Sequence, residues 1–156
     1  MRLLIKQRFT LTDSYHIFDP SGNIRYDVED ELFSWGHQLH VYDHRTGREI
    51  GSIHQKFFTF TPEFEIVIDG RLMGTICKEF TFFVPRYQVD YLGWDVEGDL
   101  MGWDYRVVQG SRQVLSISKE LFRFTDTYCM DFSNPSDEIP GLMLVIAIDA
   151  VNCSKK

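Results

Sequence analysis

Three lysines, Lys56, Lys78 and Lys119, stand at similar places in three similar short segments. Gathered on one surface they would hold an anionic headgroup by charge; the competing reading is that they face outward and blunt sheet edges. Asp149 is the most unusual residue, a carboxylate inside an apolar run. Such a group is costly unless hydrogen-bonded or neutralised, and it can mark a functional site. The expectation is a structural acid near the end of its element, meeting water or a backbone donor. The five histidines, His16, His37, His40, His44 and His54, lack the ligand spacing of a zinc site, so neither a metal nor a cofactor is expected, although His40 and His54 can share a sheet face. Asp131, Asp137 and Glu138 near Asn134 do not match a calcium-binding loop and are expected to form a solvated acidic loop capping a helix. Asp95 and Asp104, each beside a Trp, are the residue types of a glycosidase pair, but are expected as turn-flanking or outward strand acids. No Gly-rich phosphate loop, His-Glu-x-x-His, Gly-x-Ser-x-Gly or Cys-x-x-Cys pattern occurs, so no catalytic residue is assigned.

The elements that would position these groups are strands. Ile24, Tyr26 and Val28 alternate with Arg25, Asp27 and Glu29, Phe64 and Ile66 with Glu65, and Tyr87, Val89 and Tyr91 with Gln88 and Asp90. Period two marks half-buried strands. Turn chemistry recurs at 19–23, 43–47, Asp69-Gly70, 97–99 and 109–111, which makes five hairpins and at least ten strands. The prolines are expected in turns or loops. A weak internal repeat joins 53–60, 76–83 and 117–124: an Ile, a polar or small trio, then an aromatic cluster. The copies are unevenly spaced, which argues for a meandering sheet that reuses one hairpin module, and closure into a barrel would remove its exposed edges. The run Pro140–Val151 is apolar on all sides instead of alternating, which suits an enclosed helix. At about 1.5 Å per residue it reaches roughly 18 Å, short of the ~30 Å bilayer core, so no transmembrane segment is expected.

The chain has 156 residues, 44% hydrophobic and 15% aromatic, the size of one domain covering 1–156. Its net charge of −7 disfavours nucleic-acid backbones as partners. Cys77, Cys129 and Cys153 are an odd, irregular set that fits reduced thiols. The first six residues lack the continuous apolar core of a secretory signal, and a cytoplasmic location is expected.

Leu3–Gln7, Leu32–Gly36, the Gly-turn-Ile-Lys hairpins and Val145–Ala150, in this order, resemble small bacterial members of the LURP-one-related family, which belongs with the Tubby C-terminal-like and phospholipid-scramblase-like proteins. The resemblance implies a mainly β fold, a closed antiparallel β-barrel of about twelve strands enclosing a hydrophobic C-terminal α-helix. Together with the missing catalytic patterns, the resemblance implies a non-catalytic binding or scaffold module with an anionic, phosphoinositide-like lipid or a protein as partner, although fold analogy alone carries no chemistry. The alternatives are a hydrolase using surface carboxylates or histidines, and a scramblase-like lipid-handling protein.

Overall fold

The structure is a computed structural model that describes residues 1–6, 14–33, 36–57, 59–79, 83–120 and 127–154, with 32 and 33 as backbone only. In chain order the strands are β1 (Arg2–Lys6), β2 (Tyr15–Phe18), β3 (Ile24–Phe33), β4 (Gly36–Asp43), β5 (Glu49–Gln55), β6 (Glu63–Ile68), β7 (Arg71–Glu79), β8 (Arg86–Tyr91), β9 (Asp95–Asp99), β10 (Asp104–Gln109), β11 (Arg112–Lys119) and β12 (Thr127–Phe132). A 3-10 turn, Pro135–Asp137, leads into α1, Glu138–Cys153.

Alternation dictates the barrel. Along β6, Phe64 and Ile66 are fully buried while Glu63 and Glu65 are not, and β4 buries Leu39 and Val41 between partly exposed neighbours. All twelve strands form one antiparallel sheet, and β1 returns to pair with β12 over Arg2↔Asp131 to Lys6↔Thr127. Asp69 and Gly70, with φ of 49° and 77°, make the two-residue β6–β7 turn, whose positive φ at both positions matches the strand twist.

The barrel is nearly closed. The order ends on β8 and β9, which do not pair although Leu92, Gly93 and Trp94 alone separate them. Side chains fill this seam. Trp94 packs edge-on against Tyr91 at 5.5 Å, Tyr87 donates its hydroxyl hydrogen to Asn152 Oδ1, and Asn152 Nδ2 donates to the Leu100 carbonyl at 3.0 Å.

The core is α1 itself. Residues 142–148 are each at most 1% exposed, and β strands meet the helix closely on two sides. A Cβ on Gly51 would come within 2.8 Å of Met143 Cε, and one on Gly141 within 2.6 Å of Leu115 Cδ2. Both positions need glycine for close approach. The helix is longer than the run Pro140–Val151, because Glu138 and Ile139 also adopt helical geometry. Pro140 is therefore a first-turn residue and not part of a loop, as helices tolerate where backbone N–H groups lack intrahelical acceptors. No helix among the described residues is long and apolar enough to cross a membrane.

One expected turn proves to be strand. Glu97-Gly98-Asp99 lies within β9, and the reversal comes at 100–103. Gly98, at φ 117°, sits where a Cβ would meet the Asp104 carbonyl at 2.7 Å, so this glycine serves the close approach of the neighbouring strand β10.

Candidate functional site

Because neighbouring strands are antiparallel throughout the sheet, every odd-numbered strand ends at the same rim. Helix α1 starts at the opposite rim and finishes at this one, where Asn152 meets Tyr87 and Leu100. Call it the helix-end rim. The three repeat copies run along β5, β7 and β11 and all point there. Of their apolar clusters, Phe58, Phe80, Phe82, Leu121, Phe122 and Phe124 lie outside the described residues, as do Ser34 and Trp35.

The rim gathers the lysines without converging them. Lys56 follows β5, is exposed, and pairs with Glu63 at 3.4 Å. Lys119 ends β11 exposed, on the far side of the barrel mouth. Lys78 has the parity of buried Ile76 and turns inward, 6% exposed. Burial lowers its pKa, and the Cys153 thiol acts the other way. Its ammonium stands 6.0 Å from the Tyr87 ring centroid, within cation–π reach.

Asp149 is 1% exposed in the last turns of α1 and accepts from Cys153 Sγ at 3.6 Å. Near it the Tyr105 hydroxyl is buried without a hydrogen-bond partner among the described residues. Burial, then the Asp149 charge, then Tyr87, push the Tyr105 pKa well up. Tyr87 is pushed up to about 12, by burial first and by Asp99 second. Behind the helix-end rim therefore lies a small, mostly enclosed polar cluster of Lys78, Tyr87, Tyr105, Asp149, Asn152 and Cys153. Neither the tyrosines nor Asn152 were legible as a group in the sequence, because β8, β10 and α1 are far apart along the chain.

The other candidates disperse. Asp137 does not cap α1 with its side chain. It is 6% exposed and accepts from Arg112 Nη1 at 2.6 Å and Nη2 at 3.3 Å, while Arg25 and Tyr26 both donate to Glu138 Oε1, at 3.0 and 2.9 Å. The acids expected to be solvated thus anchor the helix start, and only Asp131, paired with Arg2 at 3.3 Å, stays at the surface. His40 and His54 do share the outer face, but His40 lies between Glu31 and Glu49 and His54 Nε2 meets Ser52 Oγ at 2.7 Å. His16 and His44 flank the two oxygens of Asp27, at 2.6 and 2.7 Å. Among the described residues no three His, Cys, Asp or Glu side chains are grouped to hold a metal. Asp95 pairs opposite Val108 and Asp104 opposite Asp99, so about four residues of strand, roughly 13 Å, separate them, beyond the ~5–9.5 Å of glycosidase carboxylates. The open groove beside them, about 500 Å³, is lined by Glu97, Asp104, Arg106 and Ser116, with Glu97 held by Arg106 at 2.7 Å.

The family model for LURP-one-related proteins matches residues 1–149. The chain belongs to the LURP-one-related family. It is 29% identical over 152 residues to the uncharacterised protein YxjI of Bacillus subtilis (strain 168), covering 97% of this chain and 93% of that one. The X-ray structure of the Arabidopsis thaliana protein AT5G01750 superposes with a TM-score of 0.62 at 14% identity, over 95% of this chain and 89% of that one. At that identity the likeness establishes the shared barrel-and-helix fold of the LURP-one-related chain and nothing of its chemistry.

Proposed function

We propose that the protein is a non-catalytic binding module that takes an anionic ligand at the helix-end rim, with Lys56, Lys78 and Lys119 supplying positive charge. The observation that carries this reading is the shared direction of β5, β7 and β11, which brings all three repeat-borne lysines to one end of the barrel. Lys56 and Lys119 act from the exposed edge of the rim. Lys78 acts from the mouth, where lower dielectric strengthens attraction to an arriving anion. The −7 charge of the chain opposes long-range attraction, so binding is local and weakens as salt screens it.

The test is titration with inositol trisphosphate, comparing the natural chain with a Lys56→Glu, Lys78→Met, Lys119→Glu variant. Methionine at 78 keeps the buried volume. Binding by the natural chain, lost in a variant that still unfolds cooperatively, supports the reading. No binding of the polyanion at low salt sinks it. Turnover in a broad hydrolase screen that disappears with one acid or histidine would replace it by the enzyme alternative.

A further inference from the structure

We propose that the helix-end rim docks on a lipid bilayer by burying Phe57, Phe60, Phe83 and Val84 in the interfacial layer. Seven large apolar side chains are exposed among the described residues, and five of them (Phe57, Phe60, Phe83, Val84 and Met101) stand on the β5–β6, β7–β8 and β9–β10 connections. These are successive connections along one arc of the rim. Phe60 is 104% exposed and Phe83 96%, as open as in an extended peptide. Scattered exposed apolar residues need no explanation, but a set concentrated at one end of a molecule marks an interaction surface.

The shape selects the occupant. Phe60 and Phe83 are the most exposed side chains of two separate loops, with Thr59, Thr61 and Pro62 flanking the first and Val84 and Pro85 following the second. A stable protein partner needs about 800 Å² per side of continuous, complementary surface, which short tips on separate loops do not offer. A fluid interface closes around any projection. It accepts aromatic and aliphatic groups to a depth of about 5–10 Å.

The charges at the base of the tips agree with this. Lys56, Arg86 and Lys119 stand at this rim among Glu63, Glu79, Asp99, Asp104 and Glu120, so this end carries both signs. Long basic side chains there can lay their stems on the apolar layer and keep their charge among headgroups. Insertion of uncharged tips also predicts association that survives high salt, unlike the lysine-driven capture of an anion.

The inference rests on the helix-end rim being the working surface, as in the proposed function, but not on its lysines. Flotation with phosphatidylcholine vesicles, with and without phosphatidylserine, at 0.15 M and 1 M NaCl separates the two. The natural chain is expected to float with both vesicle types at both salt levels. A Phe60→Ser, Phe83→Ser variant, altered only at fully exposed positions, should bind at least about tenfold more weakly while keeping its unfolding temperature and any inositol trisphosphate binding. No flotation, flotation unchanged in the double variant, or flotation confined to phosphatidylserine vesicles at low salt would overturn bilayer docking. Self-association of the natural chain, abolished by the same two changes and without flotation, would assign the tips to a second copy instead.

Discussion

Asp149 and Cys153 are one helical turn apart, so the thiol reaches back to the carboxylate within an almost fully enclosed turn of α1. A charge held there is tolerable only with hydrogen-bonding partners, and removing its acceptor charge is a limited loss if the shape is kept. Asp149→Asn should therefore fold, with a far-UV spectrum unchanged and a denaturant-derived stability lower by about 1–3 kcal/mol at most. It should also relieve part of the upward push on the Tyr105 hydroxyl, to which the Asp149 charge contributes after burial. A loss well above that range would show that the carboxylate anchors more than this turn. That this acid is unusual was legible from its apolar neighbours. Its thiol partner follows from helical spacing, but its proximity to Tyr105 on β10 does not. The same limit applies to Arg112 and Asp137: each residue is plain in the sequence, while their pairing depends on where β11 starts relative to α1.

At the scale of elements, the strands declared themselves by alternation and α1 by its lack of it. Turn residues were less reliable, because Gly98 serves the close approach of β10 and reads like a hairpin. The pairing of β1 with β12, on which the barrel depends, had no local signal, since its partners are more than a hundred residues apart. Helix α1 is the element whose removal is most informative. Burying a large apolar side chain contributes roughly 1.5–3 kcal/mol, so residues 142–148 with Val151 contribute on the order of 10–20 kcal/mol as an upper bound. The net stability of an ordinary domain is only ~5–15 kcal/mol. A chain ending at Ile139 is expected to aggregate or remain unfolded, lacking a cooperative thermal transition. A soluble truncated chain with a sharp transition would mean that the twelve strands hold a core of their own without α1.

The whole molecule combines an acidic exterior with hydroxyl groups held inside the barrel, and this sets its response to alkali. Burial is the first cause raising the pKa of Tyr26, Tyr87, Tyr91 and Tyr105; Tyr87 is pushed up to about 12, and the other three are also raised. An unfolded tyrosine titrates near ~10. Above that pH the unfolded chain has released protons that the folded chain still holds, so each of these groups contributes stability that is present below ~10 and lost as pH rises through its folded pKa. Lys78 has the opposite sign: its folded pKa is lowered, so the unfolded chain binds more protons below the ordinary lysine value and stability rises toward it. One lysine acts against these four tyrosines, and its effect ends at the ordinary lysine value of 10.5, just where theirs grows. The unfolding temperature is therefore expected to fall steeply above pH ~10, with tyrosinate absorbance at 295 nm from the buried rings appearing together with the loss of β-sheet ellipticity. Buried-ring absorbance that develops while the ellipticity is still intact would show that hydroxide enters through the β8–β9 seam or the helix-end rim, and that the side chains filling them open before the barrel does.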